Sequence, residues 1–276
     1  MSILFALPLL SSMFGSPEDA PTYARDVAPI LRRRCEGCHR PGQVGPFALT
    51  SFEEARGRAK MIATMLESGA MQPWNADERF DGVFMNERKL TVDEKKTITE
   101  WIARGMPRGN ASEEPKPAAW PEGWSIGKPD LVLQPEFQLK TQQALPKEGF
   151  HVPREGVVEY QYFGVKTDFP EDRWVRSLEI RPGSADVTHH VLTALARASG
   201  GLDENAFLAT YVPGDTPSIY PEGYAKRLPK GATVIFQVHY TPNGKERTDK
   251  PSLALIFAPE PPLFVVQSQA IVNRGF

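Results

Sequence analysis

Cys35-Glu36-Gly37-Cys38-His39 reads C-x-x-C-H, the attachment signal of a c-type haem. Each thiol of such a pair adds across one porphyrin vinyl group. A two-residue gap within one helical turn sets both sulfurs along the same porphyrin edge. The histidine that follows can reach the iron. The chain has two cysteines, and both lie here. A structural zinc site needs a second pair of thiol or imidazole ligands at matching spacing, and none occurs. A thioredoxin-like redox pair calls for a surrounding βαβ pattern, whereas these flanks have helical periodicity. A chance C-x-x-C-H without haem is the remaining rival. The expected chemistry is a covalent haem on Cys35 and Cys38 with His39 as an axial ligand.

Upstream of the motif, Val27, Ile30 and Leu31 lie at helical spacing within Tyr23 to Arg34, with Pro29 near the helix start, where a missing N–H is tolerated. Downstream, a loop from Arg40 to Thr50 leads to Ser51-Phe52-Glu53-Glu54, a capping box. The helix it opens carries Ala55, Ala59, Ile62, Ala63 and Leu66 on one face and stops at Gly69. A second capping box, Thr91-Val92-Asp93-Glu94, opens a helix with Ile98, Trp101 and Ile102 as its apolar stripe and Gly105 as its stop. A methionine on a loop is the usual second ligand of a His-ligated haem of raised potential. Met71 is the first candidate, Met85 the second, and Met61 and Met65 read as core fillers. This arrangement resembles the small cytochromes c, which implies an all-α haem domain over residues 21–107.

Composition excludes several classes. The 276 residues carry a formal net charge of -2 and no basic stripe, which argues against nucleic acid as a partner. No apolar run is long enough for a membrane span. Residues 1–15 are apolar, with Ile3-Leu4-Phe5-Ala6-Leu7-Pro8-Leu9-Leu10 at their centre, small residues and Pro17 follow, and residues 1–20 read as an export segment. The usual positive n-region is missing, so either the true start lies upstream or the signal is degenerate; a buried N-terminal strand is the rival. Covalent haem is attached outside the cytoplasm, so a periplasmic or otherwise exported location follows from the motif.

Residues 108–130 are rich in Pro, Gly, Glu and Lys around Trp120 and Trp124, and read as a linker. From residue 131 the period changes from helical to alternating. Val157–Val165, Trp174–Arg181, Val187–Ala194, Ala206–Val212, Thr233–Tyr240 and Ser252–Ala258 read as strands. Pro182-Gly183, Gly200-Gly201, Pro213-Gly214-Asp215 and Asn243-Gly244 separate them. The expected fold class is therefore multidomain, a small all-α domain followed by an all-β antiparallel jelly-roll sandwich over 131–276.

Five histidines occur in the chain. His189, His190 and His239 fall on expected strands. Neighbours in a strand point to opposite faces, so His189 and His190 can share a metal only if the backbone bends or the strand lies at an edge. One core and one surface residue is the plainer reading. His151 lies in a loop and reads as a solvated surface residue with no role.

Val187-Thr188-His189-His190-Val191-Leu192 resembles the His-His strand of the copper type II, ascorbate-dependent monooxygenases. Leu228-Pro229-Lys230-Gly231, followed by Phe236-Gln237-Val238-His239-Tyr240, resembles the strand that bears the third histidine of the same copper. The resemblance covers Val157 to Phe264. It implies that His189, His190 and His239 hold an electron-transfer copper, a metal suited to imidazole. The pairing with a haem domain resembles multidomain bacterial cytochrome c proteins with a copper monooxygenase-like region. The family's second, oxygen-activating copper uses His-x-His and a methionine in a following domain. Here no histidine follows His239, no methionine follows Met106, and the sequence ends at Phe276. The family's disulfides have no counterpart either.

The resemblance implies an exported electron-transfer protein that passes single electrons between haem and copper, the front half of a copper monooxygenase. A redox partner protein or small reductant would supply it, and whether the chain is itself an enzyme stays open. The alternative is a non-catalytic cytochrome c fused to a jelly-roll module that docks a partner or glycan, its histidines structural. A third reading joins this chain to a separately encoded second domain. The first two differ in whether the three histidines converge on one point.

Overall fold

The computed structural model describes residues 20–71, 76–84, 87, 89–120, 123–196, 202–215 and 217–269. The chain forms two compact units. One comprises the residues up to Glu36 with Ala48–Ala118, the other Gly37–Phe47 with Ala119 onward.

In the first unit, a π-helical turn over Tyr23–Val27 runs into α1 (Ala28–Arg34), with Pro29 inside the first turn. α2 (Phe52–Gly57) and α3 (Ala59–Glu67) are separated at Arg58, which leaves helical geometry at φ -109 and ψ 3. α4 spans Val92–Ala103. Ser51 with Glu54 and Thr91 with Glu94 both form complete capping boxes, each satisfying amide hydrogens that would otherwise lack partners and contributing about 1 kcal/mol. Glu94 also pairs with Arg34 at 3.2 Å, tying the start of α4 to the end of α1. Tyr23, Phe52 and Trp101 pack ring against ring. The Trp101 indole is fully buried and donates to the Pro107 carbonyl at 3.0 Å.

In the second unit, one sheet has the order β1 (Leu131–Leu133), β12 (Ser252–Phe257), β5 (Arg173–Arg181), β9 (Tyr224–Leu228), β13 (Phe264–Val266), with β8 (Ser218–Ile219) also on β5. A second sheet runs β2 (Phe137–Gln138), β4 (Gln161–Lys166), β10 (Thr233–Tyr240), β6 (Thr188–Ala196), β7 (Leu202–Tyr211). β3 (Phe150–Val152) and β11 (Arg247–Asp249) form a small third sheet. Side chains from the two larger sheets enter one apolar cluster, among them Leu178, Leu253 and Leu255 from the first and Phe163, Val191 and Phe236 from the second. Along β10, Val234, Phe236, Val238 and Tyr240 face this cluster, so Gln237 and His239 take the opposite face.

The expected fold class, a small all-α domain followed by an all-β jelly roll, is corrected. Among the described residues strand outweighs helix, 29% to 19%, and the sheets are multiple. The described helices are short, the longest being α4 with 12 residues. Between α1 and α2 the chain is irregular, with Gly37, Pro41, Gly42, Gly45 and Pro46 interrupting helical hydrogen bonding. The strands do not form an all-antiparallel roll either, because β13 returns after β10, β11 and β12 to pair parallel with β9. Alternation in sequence reveals strands but not the edge on which a late strand lands. Among the described residues no helix is long and apolar enough to cross a membrane. The expected export segment, residues 1–20, lies outside the described residues except for Ala20.

Candidate metal centre

The three strand histidines come together through an irregularity in β6. The β6–β10 ladder pairs Val191 with Val238 and His190 with His239, and then Thr188, not His189, with Tyr240. His189 is the extra residue of a β-bulge. The burial along β6 records its effect: Thr188 and Val191 are buried, while His189 and His190 between them are not. Two adjacent side chains thus turn to the same face, which a regular strand forbids.

The ring centroids form a nearly equilateral triangle: 5.3 Å for His189 and His190, 5.1 Å for His189 and His239, 5.2 Å for His190 and His239. One ligand nitrogen from each lies within 4.8 Å of the others. The Nδ1 atoms of His189 and His190 are 3.1 Å apart. At most one of the two can hold a proton in that gap, so at least one lone pair points into it. Nitrogens at that separation subtend about 100° at a metal about 2.0 Å from each, between octahedral and tetrahedral angles. Burial, then the neighbouring His189 and His239, hold the pKa of His190 below the ordinary imidazole value, which favours the neutral, ligating form. The donor set, three imidazoles and no carboxylate, suits copper, zinc or nickel. His189 is exposed, so the centre is open to solvent on one side.

Sequence reasoning missed Tyr160. Its ring stacks on His239 at 4.8 Å and 24° and lies 5.6 Å from His190. The alternation Tyr160-Gln161-Tyr162, which runs from the residue before β4 into its start, is the signal that places both tyrosines on the outer face. Gln237 continues that face by donating to the Tyr162 hydroxyl at 2.8 Å.

The C-x-x-C-H residues sit in a different setting. Cys35 follows α1, its amide donating to Leu31 O at 2.8 Å. Both cysteines are half-buried and neither is in a disulfide. His39 is nearly buried, and its Nδ1 lies 3.1 Å from the Phe47 carbonyl. A carbonyl only accepts, so Nδ1 is the donor in that contact, which directs Nε2 away from it as the nitrogen an iron ligand would use. The loop Arg40–Phe47 doubles back on the motif through Gly45, whose amide donates to Cys38 O at 2.9 Å. A Cβ at Gly45 would sit 2.6 Å from that oxygen and 2.9 Å from His39 Nδ1. Met71 lies just past α3, its amide donating to Met65 O and its side chain 38% exposed. Met85 lies outside the described residues. His151 is on β3, exposed, opposite Thr248 of β11.

No protein-family model matches the chain, and no curated protein matches it.

Proposed function

We propose that this chain is an exported one-electron carrier with two metal centres: a c-type haem held covalently by Cys35 and Cys38 with His39 as its axial ligand, and a copper held by His189, His190 and His239. The observation that carries the reading is the β-bulge at His189. It brings three imidazoles onto one face although two of them are adjacent in a strand. A kinked ladder with three clustered imidazoles is costly to keep for packing alone, since the outer face needs no histidine. The two histidine strands also resemble the first-copper strands of copper type II monooxygenases, which agrees in ligand type. When bound, copper supplies a Cu(I)/Cu(II) couple. The protein's part is to hold two imidazoles with their Nδ1 atoms 3.1 Å apart, cover His239 with the Tyr160 ring, and leave His189 open to a small reductant or partner protein. His39 is preset for iron by its bond to Phe47 O. Met71, free of core packing, is the proposed second axial ligand.

The test is the iron and copper content of protein matured in a periplasm that makes c-type haem, with a visible spectrum of the same sample. One iron and one copper per chain is the expected result. Iron without copper after copper loading would leave a haem protein fused to a binding module. Copper without covalent haem would overturn the C-x-x-C-H assignment.

A further inference from the structure

A buried carboxyl group is bonded to the residues on either side of the bulge at His189. Asp249, the last residue of β11, is buried. It accepts a hydrogen bond at 2.8 Å from the hydroxyl of Tyr240, the residue after His239. Its other oxygen accepts from the Ser184 amide at 2.7 Å, in the turn that leads into β6. The same turn is closed by Thr188, whose hydroxyl donates to Ser184 O at 2.9 Å and also faces the Asp249 carboxyl. Thr188 and Tyr240 are the pair that resumes the ladder on the far side of the bulge. Glycine at 183 lets the turn approach this closely: a Cβ there would come within 3.0 Å of Lys250 N and 3.2 Å of Asp249 Oδ1.

His189 is therefore trapped between two fixed pairs, His190 with His239 and Thr188 with Tyr240. We propose that Asp249, acting through Tyr240 and Thr188, is the positioning residue of the three-histidine centre: it locks the ladder in the bulged register that turns His189 toward His190 and His239. Without the latch, β6 can slide by one residue into a regular pairing, which turns His189 to the other face. Thr188 and Tyr240 lie on the inner side of the β6–β10 ladder, Asp249 reaches them from β11, and none of the three belongs to the histidine cluster.

This inference concerns the centre proposed above, and its test is arranged to be judged with or without metal. Tyr240→Phe removes one donor and keeps the ring, and Asp249→Asn alters the acceptor. Leu253→Ala, a cavity in the other sheet, serves as a control for general destabilisation. In metal-free protein, nuclear Overhauser contacts between the His189 and His239 rings are expected in the wild type and in Leu253→Ala, and are expected to be lost in Tyr240→Phe. Contacts retained in folded Tyr240→Phe and Asp249→Asn would overturn the proposal; if Asp249→Asn does not fold, Tyr240→Phe decides. With Co(II) as probe, Tyr240→Phe should bind about 10-fold more weakly and with shifted visible bands, whereas Leu253→Ala should match the wild type. Equal affinity and spectra for Tyr240→Phe and wild type would overturn it. A wild type that binds neither Co(II) nor Cu(II) would remove the metal reading alone, and the ring contacts would still decide the latch.

Discussion

His190 stands directly opposite His239 across the β6–β10 ladder, yet the next pair is Thr188 with Tyr240, so His189 has no partner of its own. That single skipped residue places three imidazoles on one side of a sheet. It also gives each histidine a separable contribution.

Replacing His239 with alanine removes one of three nitrogens and the surface on which Tyr160 stacks. Copper affinity should fall at least 100-fold in a competition titration. Stability should change by less than about 1 kcal/mol, because His239 faces away from the core. Unaltered copper content would end the copper reading.

The haem assignment rests on different residues. Cys35→Ser with Cys38→Ser should abolish haem staining in a denaturing gel. Gly45→Ala should disturb His39, the proposed axial ligand, without touching either thiol, since the new methyl would meet Cys38 O and His39 Nδ1 inside normal contact distance. Covalent haem should persist in that variant with an altered visible spectrum; an unchanged spectrum would show that the loop does not orient His39.

Met71→His replaces a thioether by an imidazole. Loss of the methionine-to-iron charge-transfer band is expected. An unchanged band would pass the assignment to Met85.

Gly164 lies in β4 beneath the ring of Phe137, where an added Cβ would sit 2.5 Å from the nearest ring carbon. Gly164→Ala should destabilise by about 1–3 kcal/mol in chemical denaturation. Pairing it with Phe137→Leu should recover part of the loss.

Lys226 is buried, and burial brings its pKa down from 10.5 to about 8. Its ammonium donates to Phe207 O at 2.6 Å. A lysine whose folded pKa lies below its unfolded value contributes stability that is full above the unfolded pKa and is lost as pH falls through the folded one. Unfolding free energy should therefore rise by about 2 kcal/mol between pH 7 and 9.5. Burial raises the pKa values of Tyr23, Tyr211 and Tyr240, which works in the opposite direction above the ordinary phenol range near pH 10. Lys226→Met should flatten the rise; a rise that survives the substitution would assign it to another group.

The helix starts at Ser51 and Thr91 are legible in the chain because a capping box is a local device: both partners lie within four residues and need no tertiary context. The long strands β5, β6, β10 and β12 are legible for a similar reason, since alternation follows from the pleat itself. The same local logic identified the three histidines and also predicted that His189 and His190 should diverge. Their convergence depends on the register against β10, and that register is held by Asp249, about 60 residues along the chain from His189. The parallel return of β13 to β9, the short edge strands and the stacking of Tyr160 on His239 share this origin. Each is decided by which distant backbone offers free hydrogen-bonding groups, a property of the assembled sheet. Residue types and spacing thus determine the available ligands and the local elements, while the tertiary hydrogen-bond register determines whether those ligands meet.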